Sequence, residues 1–202
     1  MVHMARKLTS AEVHEKVAKR YAEISCSVRD RFKYPVGRQG AAALGYDLAV
    51  IERIPDEVTG SFCGVGNPFG LGPVNPGETV LDVGCGGGLD LVVAGILVGG
   101  DGRVCGIDLV PEMVEKARSS ITKTGLTNCQ ARLAGSELLP FDKDSIDLVI
   151  SNGSIYLSPS KKETFREIFR VLKPGGRLQF ADVVLKDDLP SDVMRLFDGW
   201  SG

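Results

Sequence analysis

The chain has 202 residues, 43% hydrophobic and 25% charged, with 24 Lys/Arg against 26 Asp/Glu for a net charge of −2. That length fits one domain with an appendage and argues against two full-sized domains, while the composition excludes wholesale disorder. The longest apolar run, Leu91 to Val98, falls far short of the ~20 residues of a bilayer span, and no signal peptide opens the chain, which implies a cytoplasmic protein.

In chain order, Thr9-Ser10-Ala11-Glu12 is a capping signal, and Val13, Val17, Tyr21 and Ile24 follow it at helical spacing up to Pro35. Residues 1–40 hold nine Lys/Arg against four Asp/Glu, leaving fifteen against twenty-two in the rest. The interleaving of these charges reads as a solvated helix, so a nucleic-acid partner is not expected. A Gly/Ala stretch over 37–45 and a short helix near 47–53 lead into the loop Ser61-Phe62-Cys63-Gly64-Val65-Gly66-Asn67-Pro68. Residues 1–76 thus form an N-terminal helical cap with a substrate-side loop.

From residue 77 the pattern alternates regularly. Strands are expected at 79–83, 103–107, 128–133, 145–150 and 177–183, and helices at 89–98, 111–124 and 160–172, with a shorter helix in 134–144. Repeated strand–helix–strand units imply right-handed crossovers and a parallel sheet covered on both faces. The fold class is therefore α/β, a Rossmann-like doubly wound, mostly parallel sheet over residues 77–202. Five scattered cysteines without a C-x-x-C pair indicate neither a disulfide framework nor a zinc site, and no metal is expected.

Glycine is the unusual residue, 25 of 202 against a usual ~7%. Four of the glycines fall in Gly84-Cys85-Gly86-Gly87-Gly88, where the first strand turns into the following helix. Such a turn bends tightly and lets a ligand approach the backbone. The second strand ends at Asp108, 24 residues after Gly84, where a carboxylate accepts from ribose hydroxyls. A dinucleotide fingerprint fails because its third glycine is here Leu89, which disfavours a nicotinamide oxidoreductase, and no P-loop lysine follows. Asp82, just before the glycines, faces instead the place of a cationic amine or sulfonium.

Val80-Leu81-Asp82-Val83-Gly84-Cys85-Gly86-Gly87-Gly88, Gly106-Ile107-Asp108, Asp147-Leu148-Val149-Ile150-Ser151-Asn152 and Val171-Leu172-Lys173-Pro174-Gly175-Gly176 together resemble the successive motifs of class I S-adenosylmethionine-dependent methyltransferases. Val28-Arg29-Asp30-Arg31-Phe32, Gly64-Val65-Gly66-Asn67-Pro68 and Ser151-Asn152-Gly153-Ser154-Ile155-Tyr156 further resemble the arsenite methyltransferase branch. The resemblance implies S-adenosylmethionine as cofactor, S-adenosylhomocysteine as product and a small-molecule methyl acceptor. It places Asp82 near the methionine ammonium and Gly84, Cys85, Gly86 and Gly88 along the methionine chain. Asp108 falls on the ribose, Leu109 and Met113 beside the adenine, and Ser136 and Glu137 at the adenine edge. Asn152 borders the sulfonium, and Cys63, Asn67 and Tyr156 are substrate-side candidates.

No catalytic residue is assigned. His3 and His14 are the two histidines, both in the N-terminal arm outside every motif, so a histidine base is not expected. An arsenite site needs several thiolates around a soft centre. Where the arsenite branch has cysteines this chain has Val65 and Gly153, leaving Cys63 as a nearby thiol. The reading is therefore a methyltransferase for another small acceptor, with arsenite methylation and a cofactor-binding module that needs a partner chain as alternatives. The resemblance also implies a C-terminal strand hairpin for which the chain, ending at Gly202, has no sequence. The fifth strand is then an edge expected to pair in a homodimer or with a separate chain.

Overall fold

The computed structural model describes residues 9–26 and 31–184. Five parallel strands, β1 (Thr79–Val83), β2 (Arg103–Asp108), β3 (Cys129–Leu133), β4 (Ile146–Asn152) and β5 (Leu172–Ala181), form one sheet in the order β3-β2-β1-β4-β5. The doubly wound parallel sheet is thus as the alternation demands. The chain leaves β1 toward β2 and β3, then returns to place β4 on the other side of β1. That reversal opens a crevice at the carboxyl ends of β1, β2 and β4.

The helices follow from local chemistry. Helix α1 (Ser10–Cys26) begins at a reciprocal capping box: the Glu12 amide donates to Thr9 Oγ1 (3.3 Å) and the Thr9 amide to Glu12 Oε2 (2.7 Å). The Gly/Ala stretch, to which the sequence assigns no element, folds as α2 (Gly37–Ala43), and two single-turn helices, α3 (Leu48–Ile51) and α4 (Asp56–Thr59), complete the cap. Helix α5 (Leu89–Val98) is apolar almost all round and is buried between sheet and cap. Helix α6 (Pro111–Thr124) starts on Pro111 and ends on left-handed Gly125, and α7 (Lys161–Val171) covers the opposite face.

Alternation along β1 separates two cores. Val80 packs with α5, α6 and the cap residues Ala41, Tyr46, Ile51, Ile54, Val58 and Phe62, while Leu81 and Val83 pack with Ile107, Val149, Ile168 and Val171. Cap and sheet therefore share one continuous apolar core.

Two expectations are corrected. The stretch 134–144 is an irregular crossover, not a short helix. Pro140 lacks an amide hydrogen, and the neighbouring backbone groups are satisfied from α7. Glu167 accepts from the Leu139 amide (2.9 Å), and Arg170 donates to the Leu139 and Phe141 carbonyls (2.9 and 2.8 Å). Strand β5 starts at Leu172 and stops at Ala181. Between the pairs Ile146–Leu172 and Leu148–Arg177, residues 173–176 bulge opposite Asp147 alone, whose carboxylate takes Lys173 Nζ at 2.8 Å. Asp182 leaves the strand to accept from the Tyr156 amide (2.9 Å). Part of the Val28–Phe32 motif and residues 185–202 lie outside the described residues. Among the described residues no helix is long and apolar enough to cross a membrane.

Candidate functional site

One cavity, about 1120 Å³ counting its open mouth, occupies the crevice. The glycine turn forms its floor. Gly84 (φ 72°) and Gly88 (φ 90°) are left-handed, and a Cβ on Gly84 would sit 2.2 Å from Ser154 Oγ, so side chains are excluded by backbone and neighbour alike. At Gly86 (φ 50°) nothing lies within 4 Å of a Cβ, which leaves that backbone open to a ligand. Ser154 is held by its own bond to the Val83 carbonyl (2.8 Å), so the end of β1 and the turn after β4 lock together.

The wall carries buried carboxylates. Asp82 is 1% exposed and its Oδ2 has no hydrogen-bond partner, while the Leu91 amide at the α5 N-terminus serves the carboxylate from the other side. Burial, then the nearby Asp90 and Asp108, push its pKa well above the usual carboxylate range. A buried, unpartnered carboxylate oxygen facing a cavity is what a cationic ligand group satisfies. Asp108, at the end of β2, accepts from the Gly86 amide through Oδ2 (2.9 Å) and the Val110 amide through Oδ1 (2.9 Å), which fixes its carboxylate at the rim. Burial raises its pKa, and these backbone bonds oppose the rise.

Of the residues singled out in the sequence, Asp82, Gly84, Cys85, Gly86, Gly88, Asp108, Leu109, Met113, Ser136, Glu137, Asn152, Cys63 and Tyr156 all line this cavity. Asn67 does not. Its Oδ1 accepts from the Phe69 amide (3.0 Å) and its Nδ2 donates to the Gly45 carbonyl (2.9 Å), so it caps a turn away from the cavity. Ser136 shares a hydroxyl bond with Thr164 (3.0 Å), and Glu137 accepts from Ser158 (2.6 Å). Asn152 is engaged on every polar atom: Oδ1 accepts from the Val65 and Gly66 amides (2.9 and 3.1 Å), and Nδ2 donates to Gly66 O and Asp90.

Sequence reasoning missed several wall residues. His14, set aside for lying outside the motifs, is carried by α1 into the cavity wall, 3.4 Å from Glu137. Tyr21 and Tyr34 also line the cavity. The Tyr21 hydroxyl pairs with Tyr156, and Tyr34 donates to the Cys63 carbonyl (3.0 Å). Asp90 had a signal: an acid inside the apolar run Leu89-Asp90-Leu91-Val92-Val93. It is buried, accepts from Tyr46 (2.6 Å) and Asn152 (3.0 Å), and burial lifts its pKa to about 6.

At the far end, a Cβ on Gly153 would lie 3.4 Å from the Val65 methyls, so these two positions face each other. Burial pushes the thiol of Cys63 up to about 12, so it stays protonated. Among the described residues no cluster of three His, Cys, Asp or Glu side chains could hold a metal ion.

Residues 74–200 match the protein family described as a methyltransferase domain. An arsenite methyltransferase of Halobacterium salinarum is 40% identical over 163 residues, covering 81% of this chain and 41% of that protein. One of Mus musculus is 29% identical over 201 residues, covering 94% and 52%. Among solved structures, an arsenic(III) S-adenosylmethionine methyltransferase from Chlamydomonas reinhardtii superposes with a TM-score of 0.62 at 35% identity, covering 83% of this chain and 56% of that one. The chain thus spans about half the length of the curated relatives it matches.

Proposed function

The chain belongs to the methyltransferase domain family, and on that premise we propose that it transfers a methyl group from S-adenosylmethionine to a small-molecule acceptor. The observation that carries this reading is the unpartnered Asp82 Oδ2, buried beside an open glycine turn. When bound, S-adenosylmethionine supplies a methyl group activated on a sulfonium.

The residues of this chain bind and orient. Asp82 neutralises the amine, the backbone of Gly84, Cys85, Gly86 and Gly88 lines the methionine chain, and Asp108 takes the ribose. Leu109 and Met113 flank the adenine, and Ser136 and Glu137 meet its edge. Residues 1–76 supply the acceptor-side wall, with α1 carrying Val17 and Tyr21 over the cavity to exclude water, while residues 77–202 supply the cofactor side. Cys63 and Tyr156 line the acceptor end. Holding the acceptor on the line of the breaking bond is the main contribution of such a site to rate.

Arsenite methylation is the second reading, favoured by the relatives named above. Against it stand Val65 facing Gly153 and a protonated Cys63, because a thiophilic centre needs several thiolates. Scattered free cysteines support a reducing, cytoplasmic setting. The outer edge of β5 is unpaired among the described strands, and Phe165, Phe169 and Phe180 are exposed near it, which supports pairing with a second copy or a separate chain.

Calorimetric titration with S-adenosylhomocysteine, followed by product assays over an acceptor panel that includes arsenite with glutathione, tests these readings. Binding with turnover on a carbon, nitrogen, oxygen or sulfur acceptor is the expected result. Turnover confined to arsenite selects the second reading, binding without any turnover leaves a cofactor-binding module, and failure to bind overturns all three.

A further inference from the structure

Helix α1 belongs to the cap, yet it spans from the loop after β4 to the start of α6. Val13 and Val17 pack on Leu157, and farther along Ile24 packs on Val110 and Met113. His14, Val17 and Tyr21, spaced i, i+3 and i+7, therefore form one helical stripe in the cavity wall.

Along that stripe His14 reaches the segment after β3. Its Nε2 lies 3.4 Å from Glu137 Oε1, with the two side chains 34% and 21% exposed. A carboxylate only accepts, so the imidazole nitrogen that faces it is the one carrying a hydrogen. The same oxygen accepts from Ser158 Oγ (2.6 Å). Ser158 is itself fixed: its Oγ accepts from Thr164 Oγ1 (3.0 Å) and from the Ser160 amide (3.1 Å), and Thr164 shares a hydroxyl bond with Ser136. Oε1 is thus held from two elements, the turn that opens α7 and the cap helix. Oε2 has no donor among the described residues. It lies 3.2 Å from where a Cβ on Gly135 would stand, and Gly135 and Glu137 both line the cavity.

We propose that His14 is a positioning residue for recognition of the purine amine. This rests on the reading that Glu137 meets the adenine edge. One donor at Oε1 leaves the carboxylate free to turn about that bond, whereas a second donor from α1 fixes it and leaves Oε2 to accept from an exocyclic amine. The same bond closes α1 on the site, so a ligand that engages Oε2 and a docked α1 favour each other. A purine with a carbonyl in place of the amine presents an acceptor to the carboxylate, and the fixed Oε2 rejects it.

Calorimetric titration of the full chain with S-adenosylhomocysteine and with S-inosylhomocysteine, whose purine carries a carbonyl in place of the amine, reads the discrimination directly. The native protein should prefer the adenosyl ligand about thirtyfold. His14→Leu, which keeps an apolar side chain but no donor, should bring the preference down to about fivefold. His14→Gln, which returns an N–H donor, should recover most of it. His14→Ala carries the test if His14→Leu does not fold. Hydrogen exchange over residues 10–20 should slow about fivefold more with the adenosyl than with the inosyl ligand in the native protein, and equally with both in His14→Leu. A merely structural helix contact would weaken both ligands alike, so an unchanged ratio in His14→Leu, or no recovery in His14→Gln, would overturn the role of His14. A native protein that binds both ligands equally would overturn the placing of Glu137 at the adenine edge and this inference with it, leaving the cofactor reading intact. Failure to bind either ligand would overturn the cofactor reading as well.

Discussion

The two walls of the cavity are built in different ways. The cofactor side is backbone that the chain cannot place elsewhere: β1 runs into a turn where Gly84 and Gly88 combine left-handed angles with close neighbours, and β2 delivers Asp108 in register beside it. The acceptor side is a loop hung on side chains, with Val65 and Gly66 fastened through Asn152 to Asp90 and Tyr46, residues 62 and 20 positions away from their partners Asn152 and Gly66. A wall made of local backbone serves any acceptor, whereas a wall hung on a few side chains changes its shape when one of them changes. That division suits an enzyme class that keeps its cofactor and varies its substrate.

The largest effects are expected within the glycine turn. Gly84→Ala must adopt a left-handed angle and push its Cβ into Ser154, for a loss of about 3–4 kcal/mol of stability, read as a fall in denaturation midpoint. Gly86→Ala meets nothing in the protein and should cost about 1–2 kcal/mol of stability. Its larger effect should be on S-adenosylhomocysteine affinity, because the added methyl group enters the space left for the ligand. Equal effects of the two variants on stability would refute the distinction between floor and ligand face.

Asp82→Asn probes the cofactor wall without changing its shape. A lost charge-assisted contact is worth about 1.5–3 kcal/mol, so affinity for S-adenosylhomocysteine should drop about tenfold to a hundredfold by calorimetry. The protein without ligand should be no less stable, since an unpartnered buried carboxylate is removed.

The same carboxylates give a pH signature. Asp82 and Asp90 have folded-state pKa values raised by burial, Asp90 to about 6, so the folded state binds more protons than the unfolded chain above its ordinary value. The Asp90 contribution is fully present below about pH 4 and is lost as pH rises through about 6, on the order of 3 kcal/mol. Thermal melts of the ligand-free protein should isolate this loss in the difference between the native protein and Asp90→Asn.

The smallest effect is expected far from both walls. Arg177 holds Glu78 at 2.7 Å and keeps its pKa at about 2. Glu78→Gln should cost about 1 kcal/mol or less near neutral pH. The native pair's contribution, present above the unfolded carboxylate value, should vanish as pH falls through about 2. Ligand affinity should not move.

Much of the molecule was legible along the chain. Helices 89–98 and 111–124 and the first strand fall where the apolar spacing put them, because short-range periodicity and glycine punctuation act on neighbouring residues. The crossover at 134–144 was misread because its backbone partners, Glu167 and Arg170, come from α7. Helix α2 was missed because its glycines mask a run that packs Ala41 into the core.

The site divides along the same line. Asp82, the glycine turn and Asp108 announce themselves by spacing, since one strand end and one turn must present them together. His14, Tyr21, Tyr34 and Tyr46 carry no such spacing and reach the cavity wall or its supports because the cap folds back over the sheet. The residues alone therefore place a glycine turn between two acidic strand ends, the arrangement on which the cofactor proposal rests. Which acceptor meets it is decided in three dimensions, because contacts between distant segments, unlike a turn between adjacent ones, leave no period in the chain.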